Sequence, residues 1–322
     1  MSNETPLLKV ENLSVEFTTD SGVVKAVDDI SFEVGAGEPV GIVGESGSGK
    51  SVTALTLLQL VPDPPGRITG GRIELDGIDI LSKSQAEMRK IRGDVASMIF
   101  QEPMTALNPV FRVGSQISEA LLFHKNMKKD QARNRAIELL KLVGIPAPEK
   151  RFHDFPHQLS GGMRQRIIIA MALACSPRVI LADEPTTALD VTIQAQILEL
   201  IKELQEKRQT STVLITHDLG VVAQVCDEMA VMYAGRIVEH AQVSEILANP
   251  RHPYTRGLLA SLPRLDREAE LSPIPGTVPE ITNLPAGCHF HPRCPEKTDI
   301  CSRREPPVNK AVSKVRCWLY NE

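Results

Sequence analysis

Residues 39–51 read PVGIVGESGSGKS, an apolar run that ends in a glycine-rich turn. The last eight of them match the pattern G-x-x-x-x-G-K-[ST], in which backbone N–H groups of the turn cradle phosphates. The apolar run predicts a buried strand, and a helical pattern begins at about Lys50. A strand, this turn and a helix in that order predict an α/β domain with a phosphate-binding loop.

Each part of this loop has a predicted role in holding a nucleotide and Mg²⁺. Glycines let the backbone wrap with its N–H groups inward, and the helix start adds positive potential. Lys50 places a point charge on the β- and γ-phosphates, and Ser51 offers a hydroxyl to Mg²⁺. The predicted nucleotide-binding residues here are Gly44, Glu45, Ser46, Gly47, Ser48, Gly49, Lys50, Ser51 and Val52.

A second apolar strand, VILAD at 179–183, ends in a pair of carboxylates. Asp183 at the carboxyl end of a strand is suited to hold Mg²⁺, and Glu184 is placed to polarise an attacking water. An Asp-Glu pair after a strand is by itself typical of a solvated turn. Together with the phosphate loop it favours ATP hydrolysis, with Lys50 and Glu184 as catalytic residues.

The segment 159–165, LSGGMRQ, is a second element suited to face phosphate. Ser160, Gly161 and Gly162 open a predicted helix that runs through Gln165, exposing N–H groups and a hydroxyl. One chain with one phosphate loop offers this element no ligand of its own. The segment resembles the signature of the ABC ATPase family, which implies a head-to-tail dimer whose signature caps the ATP held by the other chain.

Further landmarks of the ABC family follow in order along the chain. The resemblance implies that Gln101 senses Mg²⁺ and contacts a membrane partner, and that His217, after the strand TVLIT, contacts the γ-phosphate. It also implies a loop at 188–190 that communicates across the dimer, with Asp190 near the nucleotide. Phe17 is the nearest aromatic residue for stacking on adenine, and a core position in its strand is the alternative.

The predicted fold is α/β: a P-loop (RecA-like) core of parallel strands, N-terminal antiparallel strands, a helical subdomain and a cysteine-containing extension. We expect an ATPase domain over 1–250, with the helical subdomain at about 102–176, and an extension over 251–322 that begins with a proline-rich connector. Within the ATPase domain, 190–206 predicts a helix with Ile193, Ile197, Leu200, Ile201 and Leu204 on one face. Strands are predicted at 7–17, 30–34, 39–43, 71–76, 95–101, 179–183 and 212–216.

Composition narrows the classes of function for this chain of 322 residues. Its net charge of −4 argues against a field that holds nucleic acid. The longest apolar run, 167–175, has nine residues, whereas a bilayer span needs about 20. The polar start, 1–5, does not predict a signal peptide. We therefore expect a cytoplasmic protein whose membrane role depends on partners.

The six cysteines fall into two groups. Cys175 and Cys226 lie in apolar stretches and are predicted to be buried core thiols. The other four have the spacing C-x5-C-x6-C-x15-C, and four thiolates suit a [4Fe–4S] cluster, with zinc as the alternative. His289 or His291 could replace one ligand of zinc. The predicted cluster ligands are Cys288, Cys294, Cys301 and Cys317.

Four longer stretches resemble the D-type ATPase of dipeptide and oligopeptide importers: 41–52, 98–109, 159–166 and 182–197. The segments RHPYTRGLL (251–259) and CHFHPRCP (288–295) resemble that family's C-terminal extension. The resemblance implies an F-type ATPase partner in a heterodimer, two membrane-spanning permeases, an external substrate-binding protein and attachment to the cytoplasmic face of a bacterial inner membrane. Importers of nickel, glutathione or opines, a soluble ABC ATPase and a regulatory subunit without catalysis are the alternatives.

Overall fold

The computed structural model describes residues 5–101, 106–187, 190–262, 273–309 and 313–320, except the side chains of 204, 206 and 208. Contacts divide the chain into two compact units. The first contains the described residues of 1–7, 34–39 and 82–214, and the second contains those of 8–33, 40–81 and 215–322. Across these described ranges, no helix is both long and apolar enough to cross a bilayer.

The described chain begins with three consecutive strands, has four consecutive α-helices between residues 113 and 172, and alternates between strand and helix from residue 179 to residue 233. The strands are β1 (Leu8–Thr19), β2 (Gly22–Val34), β3 (Pro39–Val43), β4 (Gly66–Leu75), β5 (Ile78–Asp79), β6 (Ala96–Ile99), β7 (Val179–Asp183), β8 (Ser211–Thr216), β9 (Glu228–Tyr233), β10 (Arg236–Gln242), β11 (Val308–Asn309) and β12 (Lys314–Arg316). The helices are α1 (Lys50–Leu57), α2 (Gln85–Ile91), α3 (Val113–His124), α4 (Lys129–Leu142), α5 (Pro148–Arg151), α6 (Gly161–Ala172), α7 (Val191–Arg208), α8 (Leu219–Val225), α9 (Val243–Ala248) and α10 (Pro253–Ala260).

The first unit contains the predicted helical subdomain and part of a parallel sheet. Helices α3 to α6 occupy the stretch that the sequence predicts to be helical, although 102–105 lie outside the described residues. Strands β6 and β7 are parallel, with Ala96 opposite Val179, and β8 lies beside β7. Every residue of β7 is buried, which agrees with its continuous apolar run. Gln101 and Glu184 therefore follow the carboxyl ends of neighbouring strands.

Helix α7 tests the predicted apolar face of the segment 190–206. Ile197, Leu200 and Ile201 are buried, and Ile193 is half-buried, so the predicted face packs inward. The side chain of Leu204 lies outside the described part. Asp190 caps the helix, since its Oδ1 accepts a hydrogen bond from the Ile193 amide at 2.9 Å.

The second unit contains the antiparallel strands that the sequence predicts at the N-terminus. Strands in the order β2-β1-β4-β5 form one sheet, in which Leu8 lies opposite Leu75 and Phe17 opposite Gly66. In the other sheet β3 pairs in parallel with β9, and β9 pairs with β10 in antiparallel. Strand β10 also pairs with β12, and β12 pairs with β11, so the end of the C-terminal extension joins this sheet.

The two isolated cysteines are buried, which confirms the prediction that they are core thiols. Cys175 and Cys226 are 2% and 8% exposed, as expected for core thiols.

Of the predicted proline-rich connector, 263–272 lies outside the described residues. From 273 to 287 the described chain has only a short 3₁₀ turn, Ile281–Asn283. The domain boundary at residue 250 remains a prediction.

Candidate functional site

The phosphate loop follows β3, whose five residues are all buried. Gly47 and Gly49 have φ of 78° and 99°, which glycine adopts at little cost. A Cβ on Gly49 would lie 2.4 Å from the Ala26 carbonyl oxygen, and one on Gly44 would lie 2.2 Å from that of Met232. These two glycines are therefore required by close backbone approach, a constraint that the sequence pattern alone did not reveal.

Lys50 is enclosed by its own loop and is 5% exposed. Its ammonium donates hydrogen bonds to the carbonyls of Gly44 at 2.7 Å and Glu45 at 2.9 Å. The Ser48 hydroxyl lies 3.4 Å from the same nitrogen. Ser46 and Gly47 are exposed, while Ser51 and Val52 are half-buried at the start of α1. The loop thus combines a fixed interior charge with an accessible tip, which suits an anionic ligand.

Glu184 in the first unit is held by two side-chain hydrogen bonds. Its Oε2 accepts hydrogen bonds from the Thr187 hydroxyl at 2.7 Å and from the Gln101 side-chain amide at 3.2 Å. Its φ is 45°, a left-handed conformation that is uncommon outside glycine and clusters at functional sites. Asp183, one residue earlier, ends β7 and is 5% exposed. Gln101, Asp183 and Glu184 are thus brought to one edge of the first unit's strands.

The signature residues lie at the start of α6, where Ser160 and Gly161 are exposed. Ser160 is the N-cap residue, and its hydroxyl accepts from the Met163 amide at 3.4 Å. A Cβ on Gly161 would meet no atom within 4 Å, whereas one on Gly162 would lie 2.9 Å from Ile193 Cγ2. The first glycine therefore borders open space and the second packs against α7. An exposed helix start of this kind is suited to an anion from outside the unit.

Gln165 lies deeper than its predicted contact with nucleotide would suggest. It is 1% exposed, and its Nε2 donates to the Pro185 carbonyl at 2.6 Å. The contact ties α6 to the residue that follows Glu184. Sequence reasoning missed this internal role because it depends on packing between segments 20 positions apart.

The remaining predicted residues occupy varied surroundings. His217 is exposed directly after β8, and the carboxylate of the next residue, Asp218, caps α8 through the amides of Gly220 and Val221. Ala188 and Leu189 of the predicted dimer-contacting loop lie outside the described residues. Phe17 is half-buried in β1, and its ring atom Cε1 would lie 2.8 Å from a Cβ on Gly66. Its role in stacking on adenine remains a prediction.

A group of residues from the extension contacts Glu45 of the phosphate loop, and sequence reasoning missed it. The Arg293 guanidinium contacts both carboxylate oxygens of Glu45, at 2.8 and 3.2 Å. The Tyr254 hydroxyl accepts the Glu45 amide at 3.0 Å. The only sequence signal was that Arg293 and Tyr254 fall in the two extension segments singled out for their resemblance.

The four clustered cysteines are free thiols in the second unit. Burial raises the pKa of Cys288 to about 11, and the Cys301 and Cys294 thiols act in the same direction. Burial also raises the pKa of Cys317 to about 11, with smaller contributions from the other three. The pKa values of Cys288 and Cys317 are therefore also raised by their cysteine neighbours. However, within the described residues no three or more His, Cys, Asp or Glu side chains are arranged to hold a metal ion.

Two family models and several curated relatives match this chain. A family model described as "ABC transporter" matches residues 27–187, and one described as "Oligopeptide/dipeptide transporter, C-terminal region" matches residues 238–301. The chain is 54% identical to the oligopeptide transport ATP-binding protein OppD of Bacillus subtilis, over 99% of this chain and 90% of that protein. It is 52% identical to the dipeptide transport ATP-binding protein DppD of Escherichia coli, over 94% and 93% of the two chains.

Solved structures give the same answer for the fold. The dimeric, post-hydrolysis ATP-binding cassette MJ0796 bound to ADP and Pi is 30% identical, with a TM-score of 0.66. The match covers 73% of this chain and 98% of that one. It supports the predicted P-loop core, antiparallel N-terminal strands and helical subdomain. The phosphate loop, the signature and these full-length similarities show that the chain belongs to the ATP-binding subunits of the ABC transporter family.

Proposed function

We propose that this chain is the ATP-hydrolysing subunit of an importer for dipeptides or oligopeptides. The observation that supports this most strongly is the extent of the similarity. It covers 99% of the chain against a relative named for oligopeptide transport, and it includes a separate match at 238–301 to the C-terminal region of peptide transporters. A generic ATP-binding cassette would account for the first match at 27–187 and not for the second.

The phosphate loop binds the triphosphate of ATP in this proposal. Backbone N–H groups of Ser46 to Ser51 donate hydrogen bonds to phosphate oxygens, and the Lys50 ammonium, already inside the loop, contacts the β- and γ-phosphates. Ser51, Asp183 and Gln101 are the residues that would hold Mg²⁺, which would neutralise charge on the phosphates when bound. Phe17 is the proposed adenine contact.

Glu184 orients and polarises the attacking water. Hydrogen bonds from Thr187 and Gln101 to the same oxygen, Oε2, fix the plane of its carboxylate. A fixed carboxylate loses less entropy when it accepts the proton of water, so these contacts favour its role as a general base. His217 contacts the γ-phosphate.

The signature acts on ATP held by a partner ATPase. Ser160, Gly161 and Gly162 cap the partner's γ-phosphate, and the exposure of the first two supports this assignment. Gln165 and Asp190 are proposed to lie near the same interface. Gln165 connects the signature helix to Pro185, the residue after Glu184, and Asp190 caps α7 through the Ile193 amide. We favour a heterodimer with an F-type ATPase.

Two permease subunits and an external binding protein complete the proposed importer on the cytoplasmic face of a bacterial membrane. Apolar side chains exposed near the helical subdomain support docking to a permease. Val110, Phe111 and Phe123 are 71%, 56% and 62% exposed. Large apolar side chains with this exposure are candidates for contact with a partner protein.

The four cysteines are proposed to hold a metal, with a [4Fe–4S] cluster favoured over zinc. Support comes from the donor set, since four thiolates are the ligands that such a cluster takes, and a bound cation would offset the burial that raises the pKa of Cys288, Cys294 and Cys317. The described arrangement does not itself form a ligand group. The proposal therefore requires the thiols to converge on binding, and no catalytic step depends on it.

Affinity purification of the tagged chain from its own membranes in mild detergent tests the function. Two permeases and a second ATPase should copurify, and the complex in vesicles with its binding protein should take up labelled dipeptide or tripeptide only with Mg-ATP. Glu184→Gln should stop that uptake. A matched exposed variant on α7, Glu199→Gln, should not.

Other outcomes separate the alternatives. Uptake of nickel, glutathione or an opine in place of peptide would replace the substrate and keep the importer. ATP hydrolysis by a chain that binds no permease would instead support a soluble ABC ATPase. Absence of hydrolysis in a complete complex would support a regulatory subunit.

A further inference from the structure

The cysteine segment of the extension reaches the phosphate loop through one buried side chain, that of Arg293. This residue lies between Cys288 and Cys294, and its side chain is 5% exposed. Its Nη1 lies 2.8 Å from Glu45 Oε2 and its Nη2 lies 3.2 Å from Oε1. Two parallel N–H···O bonds of this kind fix orientation as well as distance. Glu45 is the second residue of the loop.

A second contact holds Glu45 by its backbone. The Tyr254 hydroxyl accepts the Glu45 N–H at 3.0 Å, and Tyr254 is fully buried. Its ring packs edge-on against Tyr233 at 4.6 Å and lies 5.4 Å from Phe290 of the cysteine segment. Residues outside the loop thus fix both the main chain and the carboxylate of Glu45.

The guanidinium of Arg293 is itself held by the segment around it. Its Nε donates to the Pro275 carbonyl at 3.0 Å, and its Cζ lies over the Tyr233 ring, 5.8 Å from the ring centroid. The neighbouring His289 ring contacts the Ala234 carbonyl through Nδ1 at 3.0 Å. Arg293 therefore has little freedom to follow Glu45 if the loop moves.

Glu45 is also a direct neighbour of the catalytic lysine. Its carbonyl accepts a hydrogen bond from Lys50 Nζ at 2.9 Å. A continuous set of polar contacts leads from Arg293 through Glu45 to Lys50. We propose that Arg293 is a positioning residue of the ATP site, through which the cysteine segment sets the shape of the phosphate loop. This inference rests on the proposed assignment of residues 44–51 to ATP.

The test measures ATP binding by the full-length chain and ATP turnover by the assembled transporter. Arg293→Met keeps side-chain length and removes the charge. It should raise Kd and KM for Mg-ATP about tenfold, roughly 1.4 kcal/mol, with a smaller change in kcat. Arg293→Lys keeps a charge without the two-point contact and should restore part of the affinity.

A double-mutant cycle with Glu45→Gln separates positioning from general damage. If the two residues act as a pair, the Kd of the double variant for Mg-ATP should not exceed the Kd of whichever single variant binds ATP more weakly. Arg256→Met is the matched control, because Arg256 forms an exposed pair with Glu296 at 2.8 Å in the same extension. It should leave ATP affinity unchanged.

Several results would overturn the inference. One is an Arg293→Met chain with a lower Tm and unaltered Kd and KM for ATP. Another is strict additivity with Glu45→Gln. If Arg293→Met does not fold, Arg293→Lys and Glu45→Gln provide the same comparison. Lys50→Ala distinguishes failure of the proposed ATP site from failure of the proposed role of Arg293. If Lys50→Ala still binds ATP, the proposed site is wrong. If Lys50→Ala loses ATP binding while Arg293→Met binds ATP as wild type does, only the role of Arg293 is refuted.

Discussion

The phosphate loop and the signature turn are both glycine-rich starts of helices, yet their surroundings differ. Lys50 and Ser48 of the phosphate loop are 5% and 1% exposed. Ser160 and Gly161 of the signature are exposed, and a Cβ on Gly161 would meet nothing within 4 Å. The first element is completed by its own chain, through Arg293 and Tyr254. The second is open to solvent at Ser160 and Gly161.

This difference is informative about assembly. A helix start that faces open space leaves backbone donors for a ligand, and its weak cap at 3.4 Å competes little with one. Such a surface fits the proposed head-to-tail dimer, in which the missing phosphate comes from the partner ATPase. Under the proposed function, the enclosed loop acts on the chain's own ATP and the exposed signature acts on the ATP of the partner.

The largest expected effect is that of Glu184→Gln. Glu184 belongs to neither the phosphate loop nor the signature, and its loss should slow hydrolysis of the ATP that the phosphate loop and the partner's signature are proposed to contact. The substitution should reduce turnover by about 10²–10⁴-fold because the general base is lost while the shape is kept. ATP binding should persist, and a closed ATP-bound pair of ATPases should accumulate. Phosphate release and size-exclusion chromatography in ATP measure these effects. Release near the wild-type rate in the assembled mutant would contradict the assignment.

Next, Lys50→Ala and Ser160→Arg should each reduce hydrolysis by about 10²–10³-fold, as expected when one electrostatic contact to a transition state is removed. They differ in whose ATP they affect. Mixing separately made mutant chains should restore activity in a homodimer, since one intact site can form. No rescue is expected in a heterodimer, because both lesions fall on the same subunit type. Rescue in the assembled transporter would contradict the heterodimer.

Cys294→Ser tests whether the cysteine segment, which contributes Arg293 to the enclosed phosphate loop, holds an iron–sulfur cluster. Protein purified without oxygen should be brown with broad absorbance in the visible blue, and this variant should lose the colour and show a lower Tm. Cys226→Ser, a core thiol outside the cluster, should keep the colour. Colourless wild-type protein with stoichiometric zinc would refute iron–sulfur and keep the four-thiolate site.

The smallest effect concerns His252, which lies next to the residues that enclose Glu45. Burial, assisted by the Arg256 charge, lowers the pKa of His252 to about 3, and its Nδ1 accepts the Tyr254 amide at 3.1 Å. Below about pH 6.5 the unfolded chain binds a proton that the folded chain does not. The free energy of unfolding should therefore fall as pH falls, by about 2 kcal/mol between pH 7 and pH 5.

His252→Asn removes this titration and keeps an acceptor at the start of α10. Chemical denaturation at pH 7 and pH 5 should show a smaller pH dependence for this variant than for wild type. The exposed His157→Asn should behave like wild type. An unchanged slope in His252→Asn would mean that other groups account for the loss at low pH.

Much of the fold was predictable because apolar periodicity reports burial directly. The strand at 179–183 and the helix at 190–206 appear within two residues of their predicted bounds. Strands β9 and β10 were missed, although Ala234 and Gly235 between them have φ of 44° and 84°, typical of a two-residue hairpin turn. The start of β4 was also missed, because the pair Gly70-Gly71 reads as a break and instead lies at a register irregularity.

The candidate site was predictable where motifs define it and not where distant segments meet. Phosphate-loop glycines, Asp183 and Glu184 followed from local pattern. The contacts of Gln165 with Pro185 and of Arg293 with Glu45 join residues 20 and 248 positions apart. No periodicity within one element encodes such a contact, since it depends on how elements pack.

That separation of 248 positions has a consequence in time. During synthesis at about 5–20 residues per second, Glu45 leaves the ribosome roughly 12–50 s before Arg293 does. Until then the phosphate loop is present without the guanidinium that orients it. The ATP site of a nascent chain is therefore among the last parts of the protein to mature, and a chain truncated before the cysteine segment would carry the whole nucleotide motif in an unfinished form.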